Sequence, residues 1–300
     1  MRLGSRGSRL ALAQVEIVRA LLPEVDIDPV VIRTSGDQGN REVRGAFVKE
    51  LQQAVLDGRV DAALHCLKDM PTDPIPGLSI AAYLEREDPR DVLISRGPDL
   101  PDLRKGAVVG TGSVRRTSQI AAFRKDLEYK RLVGNVDTRL RKLQEGEYDA
   151  IVLAIAGLNR LGVIADWATG PYRDLTVWSL DEMIPCPGQA VLVFETRTEN
   201  TATIDLLAHL NHPETEVAVR AERAFLSAFG GGCSLPIGAY GQAEGAQLSL
   251  RGWVSTVDGG KFQRPFAVGL AEDPEGLGRQ VAALVRDAAI LEVLEARQRI

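Results

Sequence analysis

Three times in this 300-residue chain a short apolar stretch runs through a turn of Gly, Ser or Asn into a helix, and a fourth time an apolar strand leads straight into the start of one. The first is Arg2 to Gly4, then Ser5-Arg6-Gly7-Ser8, then a helical run to Leu22 before Pro23, with Ser8 suited to the N-cap. The second is Ala107 to Val109, the turn Gly110 to Ser113, and a helix from Val114 to Phe123. The third is a strand expected from Tyr129 to Val133, the turn Gly134-Asn135, and a helix from Asp137 to Glu145 with Gly146 as its C-cap. The fourth lies in YDAIVLAIAGLNRLG, residues 148–162. Two more strands are expected, Val30 to Thr34 and the apolar run Ala62 to Leu67. Strands alternating with helices select an α/β fold. In open α/β sheets ligands sit beyond the carboxyl ends of the strands, so chemistry belongs in these turns.

The turns carry cations in unusual places. Arg6 lies in the first, Arg115 and Arg116 open the second helix, Arg139 falls in the first turn of the third, and Arg160 follows the fourth strand. A cation at a helix N-terminus opposes the macrodipole, so local folding gains nothing from it. Free N–H groups at the same place attract anions. The pattern points to an anionic ligand. The run Ala62 to Leu67 ends in Lys68-Asp69 and Pro71, a strand-end pair that is either a structural salt bridge or a pair placed for chemistry. Residues 35–46 are polar and Gly-rich and read as a loop, after which helical spacing resumes from Phe47 to Leu56.

Near the C-terminus, AERAFLSAFGGGCSLPIGAYG (221–241) runs a helix into three glycines and then Cys233. Glycines stop the helix and bare the backbone beside the sulfur. Such a thiol is a small buried hydrophobe, a nucleophile, a ligand or an attachment point. A hairpin turned at Asp258-Gly259-Gly260 and one long helix from about Pro274 complete the expectation.

Composition removes several classes. A net charge of −5 gives no global pull toward nucleic acid or anionic membrane. Cys66, Cys186 and Cys233 are widely spaced and odd in number, which speaks against a disulfide framework or a zinc site, and no metal is expected. There is no run of eighteen apolar residues and no signal-peptide core at the N-terminus, so a cytoplasmic, reduced protein is expected. Three hundred residues suggest two or three domains.

These motifs together resemble the porphobilinogen deaminase (hydroxymethylbilane synthase) family, in its order and over nearly the whole chain. GSRGSRLALAQ resembles its opening motif, HCLKDMP its HSxKDxP, GTGSVRR its GTSSLRR, VGNVDTR its RGNxxTR, and YDAIVLAIAGLNRLG its YDAIILAxAGLxRLG. FVKEL after the 35–46 loop resembles the stretch following the family's lid, and Gly231-Gly232-Cys233 with Pro236-Ile237-Gly238 its cofactor-attachment loop. The resemblance implies two periplasmic-binding-protein-like α/β lobes joined by two crossovers, 1–86 plus 182–200 and 87–181. It also implies a smaller α+β domain, 201–300, that carries the cofactor cysteine. It implies a dipyrromethane held covalently by Cys233, with Asp69 as the catalytic carboxylate. Contacts to cofactor or substrate are implied for Arg6, Ser8, Lys68, Thr111, Ser113, Arg115, Arg116, Arg139, Arg160 and Gln189, with Arg44, Phe47 and Arg131 as further candidates.

The implied reaction joins four porphobilinogen molecules head to tail, releasing ammonia at each step, and then frees hydroxymethylbilane; a monomer working on a small molecule is expected. Each porphobilinogen carries an acetate and a propionate, which suits a site rich in arginine forks. The chain departs from the family pattern at Val133, where an Arg is usual, at Cys66 for Ser, Gly112 for Ser, Ala190 for Gly, Arg9 for Pro, and in a shorter lid. Arg131, two residues before Val133, would share its strand face and could reach the same carboxylate. Two other readings remain: a divergent paralogue that keeps the cofactor but elongates differently, and a non-enzymatic two-lobed binding protein.

Overall fold

The computed structural model describes residues 1–36, 45–231 and 235–298. In chain order the elements begin β1 (Arg2–Ser5), α1 (Arg9–Leu21), β2 (Asp28–Val31), α2 (Lys49–Leu56), β3 (Ala62–Cys66) and β4 (Leu78–Tyr83), with a single 3-10 turn at Leu67–Asp69. A second unit follows with β5 (Asp91–Ser95), β6 (Val108–Gly110), α3 (Val114–Phe123), β7 (Glu128–Lys130), α4 (Val136–Gln144), β8 (Ala150–Ala154), α5 (Ile155–Arg160) and β9 (Thr176–Ser179). The chain then returns as β10 (Leu192–Arg197) and α6 (Thr201–Ala208). It ends with α7 (Pro213–Ser227), β11 (Ile237–Glu244), β12 (Gln247–Ser255), β13 (Phe262–Gln263), β14 (Phe266–Leu270), α8 (Pro274–Ala282) and α9 (Ala288–Gln298).

Two five-stranded sheets share one plan. The first has the order β2-β1-β3-β10-β4 and the second β7-β6-β8-β5-β9. In each, three strands are parallel and the fourth position holds a strand that arrives from the other lobe and runs antiparallel. That exchange, β4 to β5 and β9 to β10, makes two crossovers between the lobes. The parallel strands therefore point their carboxyl ends at a shared cleft. Helix α1 shows why the sequence takes this form. Ser8 Oγ accepts from the Ala11 N–H at 3.2 Å, and Ala11, Val15 and Val18 line one helix face. Val15 and Val18 pack on Leu3, Leu64 and Phe194 of the sheet, each buried apolar side chain contributing about 1.5–3 kcal/mol.

In the C-terminal unit β11 pairs β12, which pairs β13 and β14, and α7 and α8 pack on that sheet around Phe225, Leu250 and Val281. Helix α6 packs instead on β4 and β10, with Leu207 in the core of the first lobe. Helix α7 ends as its glycines dictate: Gly230 and Gly231 adopt φ of 82° and 67°, and the Gly231 N–H donates to the Leu226 carbonyl. Among the described residues no helix is long and apolar enough to cross a membrane.

Some local expectations need correcting. The second strand is Asp28–Val31, earlier than 30–34. Strand β7 ends at Lys130, so Arg131 and Val133 lie beyond it and no pleat aligns them. The C-terminal helix is two helices, broken over 283–287. The longest hairpin turns at Gly245 (φ 58°), a signal the Asp258 turn overshadowed.

Candidate active site

The cleft between the lobes has a volume of about 420 Å³. Arg6, Ser8, Lys68, Asp69, Arg116, Arg139, Arg160 and Phe47 line it, so eight of the residues singled out from sequence meet there. Seven of them come from the carboxyl ends of β1, β3, β6 and β8 and from the start of α4, and Phe47 comes from just before α2. Residues separated by over a hundred positions converge because the two sheets aim the same edge at one space.

Arg6 leaves β1 and lays its guanidinium 4.1 Å from the centre of the Phe47 ring, just before α2. That stacking holds the fork against the cleft wall. The Gly36 N–H donates to the Ala46 carbonyl at 2.7 Å. Residue Arg44 and the rest of 37–44 lie outside the described residues, as do Gly232, Cys233 and Ser234. The Arg139 guanidinium donates through Nε to the Gly134 carbonyl at 2.8 Å. Arg160 donates to the Ala190 carbonyl at 2.5 Å, and burial pushes its guanidinium below its ordinary value, with Cys66 and Glu87 opposing. Ala190 holds that carbonyl at a φ of 72°, a left-handed conformation that L side chains resist. The position thus carries the backbone of a Gly with the side chain of an Ala.

Asp69 stands in the turn after β3, beside Lys68. Lys68 donates to Gln189 Oε1 at 3.3 Å. Gln189 is buried, and its Nε2 donates to the Pro89 carbonyl at 2.7 Å and to Asp91 Oδ1 at 2.9 Å. Asp91 is the hub. Its Oδ2 accepts from Arg115 at 2.7 Å and its Oδ1 from Arg116 Nη2 at 2.7 Å and Nε at 3.1 Å. Burial pushes the Asp91 carboxyl up, but the two guanidinia outweigh it and hold the group well below the usual carboxylate range.

That hub revises one expectation. Two adjacent arginines at the start of α3 have an internal counter-ion, so their placement does not by itself require a ligand. Arg116 still reaches the cleft, whereas Arg115 does not line it; its fork is taken by Asp91 and the Ile184 carbonyl at 2.9 Å. Thr111, Ser113 and Gln189 also stand behind the wall. Ser113 caps α3, accepting from the Arg116 N–H at 3.4 Å, and donates its own N–H to Thr111 Oγ1 at 3.1 Å. Arg131 is exposed and does not line the cleft. The proposed rescue of Val133 by Arg131 therefore loses its geometric basis. Gly112 is close to the Leu132 carbonyl: a Cβ there would lie 3.2 Å from it.

Two functional anchors escaped sequence reading. Asp91, at the start of β5, carries no local signal of the two arginines it serves. Glu222 is wholly buried on α7, where it accepts from Arg86 at 2.5 Å and from the N–H groups of Gly188 and Gly241 at 2.7 and 2.8 Å. It fastens both crossovers to the C-terminal unit. A lone Glu among Ala218, Ala221 and Phe225 on a buried helix face was the available signal.

Two lobes, a cleft lined by several guanidinia and one lysine, and a carboxylate among them define an α/β protein built for a small polyanion. A family model described as porphobilinogen deaminase, dipyromethane cofactor binding domain, matches residues 1–205, and one described as porphobilinogen deaminase, C-terminal domain, matches 217–287. A porphobilinogen deaminase of Methylobacillus flagellatus is 42% identical over 292 residues, spanning 94% of this chain and 92% of its own. One of Geotalea uraniireducens is 40% identical over 310 residues, spanning 100% and 95%. The solved substrate binding protein of an amino acid ABC transporter aligns with 70% of this chain and 90% of its own at 17% identity and a TM-score of 0.38, a likeness too weak to bear on function. The chain belongs to the porphobilinogen deaminase family. It is a transferase of tetrapyrrole biosynthesis whose cofactor is dipyrromethane.

Proposed function

We propose that this enzyme carries out the full reaction: four porphobilinogen molecules joined in turn onto a dipyrromethane anchored at Cys233, one ammonia leaving per step, and hydroxymethylbilane released. The observation that carries this reading is the convergence of Arg6, Lys68, Arg116, Arg139 and Arg160 around Asp69 in one cleft. The donor set suits the cofactor, since a dipyrromethane bears four carboxylates and Arg6, Lys68, Arg139 and Arg160 bring cationic heads to the cleft, while the Arg116 fork is held by Asp91 and the Val152 carbonyl. When bound, the cofactor supplies a pyrrole with a free α-carbon as the point of attachment for the first porphobilinogen.

The chain's own residues divide the work. The arginines hold acetate and propionate groups and so fix the ring planes. Asp69 places a negative charge where positive charge develops on pyrrole nitrogen as ammonia leaves and the new carbon–carbon bond forms. It also accepts the proton shed at the joined α-carbon. Lys68 stays oriented by Gln189, which in turn rests on Asp91. Cys233 anchors and does not turn over. The division of the chain into 1–86 plus 182–200, 87–181 and 201–300, with α6 of the last segment packed on the first lobe, belongs to the same reading, as do action as a monomer and a cytoplasmic location.

The test is the product. Purified protein given porphobilinogen should release a linear tetrapyrrole that cyclises unaided to uroporphyrinogen I. Shorter chains would favour the divergent paralogue, and no product at all would overturn the reading.

A further inference from the structure

Arg9 and Asp137 face each other across the mouth of the cleft. Arg9 opens α1 in the first lobe, Asp137 stands in the first turn of α4 in the second, and Arg9 Nη1 lies 2.7 Å from Asp137 Oδ1. Both side chains line the cleft, beside Ser8 on one wall and Arg139 on the other. The pair is solvent-facing, with side-chain exposures of 61% and 33%, so the contact itself is weak and exchangeable.

The two partners are not equally dependent on each other. Asp137 sits at the N-terminal end of α4, where the macrodipole favours an anion, and Tyr172 Oη donates to it at 3.4 Å. Arg9 sits at the N-terminal end of α1, where the macrodipole opposes a cation. Asp137 retains favourable surroundings if the contact opens; Arg9 needs an anion. A carboxylate arriving in the cleft is such an anion.

We propose that Arg9 is a substrate-binding residue of this enzyme: it exchanges Asp137 for a carboxylate of the incoming porphobilinogen, so that Asp137 acts as a competing internal ligand at the cleft mouth. This rests on the functional reading above. The exchange makes no bond and moves no proton; one carboxylate replaces another on the guanidinium.

Arg9→Ala and Asp137→Ala separate this role from a structural clasp, because both remove the same contact. If Arg9 binds substrate, Arg9→Ala raises KM for porphobilinogen about tenfold with kcat nearly unchanged, the loss of roughly one charge-assisted hydrogen bond. Asp137→Ala then leaves KM equal or lower, and the double variant behaves as Arg9→Ala. The same order should appear in the calorimetric Kd for porphobilinogen measured in an Asp69→Asn background, where binding is read without turnover. Equal effects of the two single variants, or an unchanged KM and Kd in Arg9→Ala, would overturn the proposal. An Asp69→Asn protein that binds porphobilinogen tightly regardless of Arg9 sinks the proposal alone; a wild-type protein that neither binds nor consumes porphobilinogen sinks the functional reading and the proposal together.

Discussion

Asp69→Asn is expected to keep the fold and the bound dipyrromethane yet lose turnover by about 10²–10⁴-fold. The amide is nearly the same size, so the turn after β3 survives and the surrounding cations keep their partners. What disappears is the fixed negative charge and the proton acceptor. Neither Lys68 nor the arginines can replace them, since all are donors without acceptors. Single-turnover measurements should show normal binding of porphobilinogen and a slowed joining step. Turnover within a few-fold of wild type would remove Asp69 from the mechanism.

The second large effect is on stability. Asp91 is fully buried and is the counter-ion of Arg115 and Arg116, whose side chains are only 4% and 9% exposed. Asp91→Asn leaves two guanidinia inside the second lobe without their charge partner. Breaking a buried pair from one side costs about 3–5 kcal/mol. The loss should appear in urea unfolding as a lower midpoint with an unchanged slope. A drop under about 1 kcal/mol would mean that another anion serves these arginines. The same pair gives a pH signature. The folded pKa of Asp91 lies below its unfolded value, which is about 3.9. Its contribution is therefore complete above about pH 4 and is lost as pH falls from there toward the folded value. The stability gap between wild type and Asp91→Asn should narrow only below about pH 4.

What could be read from the sequence and what could not follow a physical line. Strand–turn–helix signals are local, so α3 is found at Val114–Phe123 as expected and Ser8 and Asn135 cap their helices through the N–H groups of Ala11 and Thr138. The convergence of Arg6, Lys68 and Arg139 was legible because parallel strands send their carboxyl ends one way. Counter-ions were not legible. Asp91 lies 24 residues from Arg115, Asp137 lies 128 from Arg9, and Glu222 lies 136 from Arg86. No periodicity links such positions, so Arg115 read as a ligand contact when the fold had already given it a partner. Strand β7 was overextended because Leu132 is apolar and buried although the chain has left the sheet. That single error carried the Arg131 proposal with it.

The account stands most directly on one quantity, the intact mass of the purified protein before and after brief exposure to porphobilinogen. The predicted result is an excess of two porphobilinogen units less two ammonias, absent in Cys233→Ser, followed after exposure by steps of one further unit each. A wild-type chain of unmodified mass that remains unmodified after reconstitution with porphobilinogen would contradict it.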